Sequence, residues 1–224
     1  MKNLAWIILL GLAPAGALAD GPAAHGGVPL DTLTPSGMQR LSIEAPAAAG
    51  RPVGLTFGEA GTPEVRMEVF IGRDGAEARA VLEDWRRTLV RPPPEAELGD
   101  GGYGEGPLWG WVRDNVFVAV QRVAGEADAE AIAARVDEAV KAAPAGAATA
   151  AVIPERVLDD AQLGDDPLPL PLPSGLVAAR VQVCGPGYAR STRDGWVLVR
   201  TDPGVVTVRV LGVDDRLRVT RGDG

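Results

Sequence analysis

Cysteine and histidine are almost missing from this chain: 224 residues contain one of each, Cys184 and His25. That pair cannot assemble a Cys/His zinc site, a disulfide framework or a haem attachment motif. A single imidazole also leaves little room for histidine-based acid–base catalysis. Aromatic residues are only 4% of the chain, and lysine is limited to Lys2 and Lys141, so nearly all the basic residues are arginine. Thirty acids against 22 bases give a net charge of −8, which argues against general nucleic-acid binding. Glycine and proline are plentiful instead, at 29 and 19 residues, with an ordinary hydrophobic fraction of 46%.

The first nineteen residues read as a secretory signal peptide. Lys2 precedes an apolar run from Leu4 to Ala13, and Ala17-Leu18-Ala19 supplies small residues for cleavage after Ala19. The run is short for a membrane span and is interrupted by Pro14 and Gly16. No cysteine follows the site, and no later segment is apolar enough for a transmembrane helix. The expectation is an exported protein, periplasmic or extracellular.

Residues 20–37 lack periodicity and read as a mobile lead-in. From 38 to 143 the pattern is that of an α+β domain. Val65, Met67, Val69 and Ile71 alternate with other residues as in a half-buried strand, and weaker alternation marks Leu41–Ile43 and Val53–Phe57. Asp74, with Glu77 three residues on, opens a helix whose apolar face is Ala78, Val81, Leu82, Trp85 and Leu89. Pro92-Pro93-Pro94 bound it. A hairpin follows, turning at Arg113-Asp114-Asn115, then a second helix from about Asp128 to Ala142 on a spine of Ile132, Val136 and Val140. An antiparallel sheet with both helices on one face is the expected arrangement.

Residues 144–173 are an Ala/Pro-rich acidic linker, in which Pro alternates with Leu from Pro167 to Pro173. This pattern suits either an extended spacer or leucines packed along a domain surface. Residues 174–224 alternate only with strand period, punctuated by turn signals such as Asp194-Gly195, and read as a small all-β module. Its eight arginines and five aspartates give +3, while residues 20–173 carry −12.

Arg180, Arg209, Arg216 and Arg218 fall at alternating strand positions. They are candidates for a guanidinium-lined face that meets an anionic envelope component or a protein partner, since the planar fork of Arg pairs bidentately with phosphate or carboxylate. Complementing the acidic domain, or blocking edge pairing, is the plainer explanation, since a charge run is usually a solvated face. Tyr103, Trp109 and Trp111 are the second candidate surface. Exposed, they would form a stacking platform; buried, they are core.

Catalytic constellations are weak. Gly99 to Gly104 fits G-x-G-x-x-G but lacks the strand before it and the helix after it that phosphate binding requires. Cys184 has no base near it in sequence; a buried small residue is its first expected role, and an intermolecular disulfide the second, because an odd Cys in an oxidising compartment invites one. No serine sits in a hydrolase motif, and Asp159, Asp160, Asp165 and Asp166 lack calcium-loop spacing. No catalytic residue, cofactor or metal is expected.

The strand-helix-hairpin-helix order over residues 65–143, with its Leu98-Gly99-Asp100 and Tyr103-Gly104 loop, resembles small α+β domains of uncharacterised exported bacterial proteins. That resemblance implies a fold and no activity. Two functions stay open: a non-enzymatic exported binding protein, and a periplasmic hydrolase working through carboxylates alone. A pocket with two facing acids would favour the second.

Overall fold

The computed structural model describes residues 25–48, 50–144, 156–160, 162–164, 166–172, 174–216 and 219–221. The signal-like segment with its expected cleavage after Ala19, and candidate Arg218, lie outside them. The chain is α+β with a C-terminal β module. No helix among the described residues is long and apolar enough to cross a membrane.

The first domain contains β1 Gln39–Glu44, β2 Val53–Glu59, β3 Thr62–Ile71, α1 Gly75–Thr88, β4 Glu95–Ala96, β5 Gly101–Glu105, β6 Leu108–Arg113, β7 Val116–Arg122 and α2 Ala129–Lys141. Its strands form one antiparallel seven-stranded sheet in the order β1-β2-β3-β7-β6-β5-β4. Tight turns set the register. Ala60 and Gly61, both at positive φ, join β2 to β3, and Asp114 (φ 52°) turns the β6–β7 hairpin.

The helices start where expected. Asp74 accepts the Glu77 N–H at 2.9 Å, and Glu77 reaches back to the Arg73 N–H at 2.7 Å. Asp128 accepts from the N–H groups of Glu130 and Ala131, each at 3.1 Å. Expected on one face of the sheet, the helices instead take opposite faces. Ala78 and Leu82 of α1 pack with Phe70, Val112, Phe117 and Ala119. Ala133, Val136 and Val140 of α2 pack with Val65, Met67, Val69, Trp111, Val116, Val118 and Val120. The physical reason is strand parity: Val116 to Val120 is an unbroken buried run, so β7 is apolar on both sides and needs two covers. Gly110 makes room for α1, because a Cβ there would lie 2.5 Å from the Trp85 ring.

The lead-in also differs from expectation. His25, Val28, Leu30 and Leu33 are buried, and Leu30–Leu33 forms a short 3-10 turn whose leucines join the α2-side core. Full burial of such side chains stabilises by about 1.5–3 kcal/mol each, enough to hold a segment without long periodicity.

The β module comprises β8 Arg156–Leu158, β9 Leu168–Leu170, β10 Leu176–Cys184, β11 Gly187–Thr192, β12 Gly195–Arg200, β13 Val206–Asp214 and β14 Val219–Arg221. One sheet runs β10-β13-β14, with β8 also on β13; the other runs β11-β12-β9. Strands β8 and β9 lie within the expected linker. Leu158, Leu163 and Leu170 complete the module core with Leu198, Val206, Val208 and Val210, so the leucines between the prolines are packing residues. The module is joined to the first domain. Val213 is buried in the α2-side core, and the N–H groups of Val28 and Leu30 donate to the carbonyls of Arg216 (3.1 Å) and Asp215 (2.9 Å).

Candidate functional site

Two strands end their sheets side by side. β1 is the last strand of the seven-stranded sheet and β10 the last of its own, so each has a strand partner on one side only. Between them lies a cleft of about 560 Å³, lined by Ile43, Glu44 and Ala45 of the β1 wall, Val177 to Val181 of β10, and Ala189 and Trp196. Clefts between packed units are where ligands bind most often, and this one sets Trp196 and small apolar side chains in a mainly polar lining that includes Glu44 and Arg180. Val177 is 42% exposed, at the position where the register with β13 is irregular. Glu44 is exposed, its carboxylate 3.9 Å from the Arg66 guanidinium. Arg180 is exposed and makes no ion pair with a described carboxylate. Gln182, on the same strand face, donates to the Ala47 carbonyl at 3.0 Å and ties β10 to the loop after β1.

The candidates from the sequence are distributed as follows. Arg180 and Arg209 share one sheet face at diagonal positions, since Arg180 opposes Leu211 and Gln182 opposes Arg209. Arg216 lies in the turn after β13, where its carbonyl receives the lead-in. These do not form one continuous arginine stripe. Tyr103 and the two tryptophans are separated by the sheet. Trp111 is fully buried on the α2 side, with Nε1 donating to Asp137 at 3.0 Å. Trp109, on that same side, lies over Gly104 and donates to the Gly106 carbonyl at 3.1 Å. Tyr103 faces α1. A shared aromatic platform is therefore not built; the alternation of β6 assigns its tryptophans to the core. Cys184, expected to be buried, is exposed at the end of β10, on the strand face opposite the one that Val181 and Val183 turn to the module core.

A second, smaller groove of about 360 Å³ runs between α1 and β5, lined among others by Arg79, Glu83, Glu95, Asp100 and Tyr103. The Tyr103 hydroxyl donates to Glu83 at 3.2 Å, and the Arg86 guanidinium stacks on its ring, 4.4 Å from the centroid. Burial, then the Glu83 carboxylate, pushes the phenol above its ordinary value. Asp100 accepts from Arg113 at 3.2 Å and from the Asp114 N–H at 2.6 Å. Two of the three acids in this groove are thus held as hydrogen-bond acceptors.

Sequence reasoning missed a polar cluster at the hairpin turn. His25 Nε2 lies 3.1 Å from Asp114 Oδ2, and its Nδ1 is buried without a partner among the described residues. Asn115 accepts from the His25 N–H (2.6 Å) and donates to the carbonyls of His25 (3.0 Å) and Gly72 (2.6 Å). Beside it, Asp137, 6% exposed, accepts from Trp111 and from both Nε (3.1 Å) and Nη2 of Arg113. That bonding raises the Arg113 pKa further. Bonds spanning ninety residues, such as His25 to Asn115, leave no local pattern to read. The cluster ties the lead-in to the sheet; the imidazole's bonded partner is the Asp114 carboxylate, and no hydroxyl or thiol of a described residue is bonded to it. No group of three or more potential metal ligands occurs among the described residues.

Comparison with known proteins finds no matching family model, no matching curated protein and no matching solved structure.

Proposed function

We propose that the chain is an exported, non-enzymatic binding protein that seats an anionic partner in the cleft between β1 and β10. Arg180 supplies the counter-charge, and Trp196 with the surrounding alanines and valines supplies the apolar wall. The observation that carries this reading is a cleft of about 560 Å³ holding a guanidinium with no described carboxylate paired to it. The signal-like start adds the compartment, periplasmic or extracellular. The hydrolase alternative draws less support, because Glu83 and Asp100 in the other groove are already engaged by Tyr103 and Arg113.

The test is co-sedimentation of residues 20–224 with bacterial envelope material at low and raised salt, alongside Arg180→Gln and Arg79→Gln. The expected result is salt-reversible association that Arg180→Gln weakens and Arg79→Gln leaves intact. Equal behaviour of both variants and the parent would remove Arg180 from the contact and this reading with it.

A further inference from the structure

We infer that the occupant of this cleft is an extended peptide that adds as a strand to the open edge of β10, with a carboxylate of the peptide on Arg180. The inference rests on the cleft being the binding site and deepens that reading by naming the partner's chemistry.

The walls carry the argument. Side chains alternate along a strand, so a surface that touches only one face of β10 would be lined by every second residue. Here the regularly paired Ala178, Ala179, Arg180 and Val181 all border the cleft, as does Val177 at the register irregularity before them, and so do Ile43, Glu44 and Ala45 opposite. An unbroken run means that the strand's edge, with its backbone N–H and C=O groups, borders the space. Residues 177–181 make no backbone hydrogen bond to a described residue beyond their pairing with β13. Such an edge is a template for another strand, and main-chain bonding there gives affinity while alternate side-chain pockets give selectivity. Five residues of strand span about 16 Å, which matches a peptide of four or five residues in the available volume.

The side chains set the peptide's character. Alanines at 45, 178, 179 and 189 keep the walls low and leave room for the partner's own side chains. Trp196 offers one large apolar surface. Arg180 and Glu44 place opposite charges on opposite walls, so a single acid directed to Arg180 fits and a polyacidic stretch does not.

The probe is a panel of fluorescein-labelled hexapeptides of Ala and Val in which one Asp walks through the positions, titrated by anisotropy with residues 20–224. The expected result is saturable binding with one preferred Asp position. Arg180→Gln should weaken it about tenfold or more, as loss of a charge-assisted contact does. N-methylation of the best peptide at alternate residues should abolish binding on one edge and spare it on the other. Arg79→Gln should bind like the parent. Binding that tolerates N-methylation on both edges overturns strand addition, as does failure of every peptide. So does concentration-dependent self-association lost in Arg180→Gln, which would make the occupant a second copy. If the peptides fail while decanoate or envelope material still binds in an Arg180-dependent way, the binding-protein reading stands and only the peptide falls.

Discussion

Asp137→Asn removes the charge at the centre of the polar cluster while keeping the side chain's shape. In the native protein Asp137 accepts from Trp111 Nε1 at 3.0 Å and from two nitrogens of Arg113, which is itself only 20% exposed. Breaking one side of a buried ion pair costs about 3–5 kcal/mol. Arg113 keeps Asp100 at 3.2 Å as a second partner, and the amide oxygen still accepts one bond, so the expected loss is smaller, about 2–3 kcal/mol. For a chain of this size that lowers Tm by roughly 5–10 °C. Urea unfolding should show a lower midpoint with an unchanged slope, since the same surface is exposed. Replacing both partners, as Arg113→Met with Asp137→Leu, should cost less than the two single changes summed, because neither charge is then left buried alone. The reasoning fails if Asp137→Asn lies within about 0.5 kcal/mol of the parent, or if the two single costs simply add.

Three further outcomes are expected. A chain beginning at residue 34 loses Val28, Leu30 and Leu33 from the core, roughly 5–8 kcal/mol of burial, and should melt far earlier by circular dichroism; an unchanged melt would show the lead-in to be dispensable. In a Tyr188→Phe background the remaining phenol, Tyr103, should ionise above the usual value of 10.0 in an absorbance titration, and Glu83→Gln should bring it down. Because its folded pKa is raised, the stability linked to Tyr103 is present below pH about 10 and lost as pH climbs through the folded value; a phenol titrating at or below 10.0 contradicts the Glu83 contact. Cys184, exposed at its strand end, should react fully with a thiol reagent in the native protein, and reaction only after adding denaturant would contradict that placement.

Much of the architecture could be read from short-range pattern. The alternation of Val65, Met67 and Val69, the aspartate caps at 74 and 128, and the 113–116 turn are all local signals, and each element stands where its pattern puts it. What depended on distant partners was not read. The opposite placement of the helices was encoded in the unbroken apolar run of β7, a sign of double cover that an assumption of one solvated face passes over. The lead-in offers only Val28, Leu30 and Leu33, too few for a period, and its burial is decided by α2 and by residues 215–216. Leu158 and Leu170 were hidden among prolines and acids. Of the candidate site, Arg180 was visible as a strand arginine. The cleft beside it was not, because it exists only where two sheets end together.

The pairing of Val28 and Leu30 with residues 215 and 216 has a kinetic consequence. These bonds close a loop nearly as long as the chain, the slowest kind of contact to form by diffusive search. During synthesis or export the lead-in must wait for residues 215 and 216 before it can lock. Until then its leucines and the edge they will cover stay open to proteases and to other chains. The lead-in and the turn after β13 therefore commit together, after the residues between them have found their places.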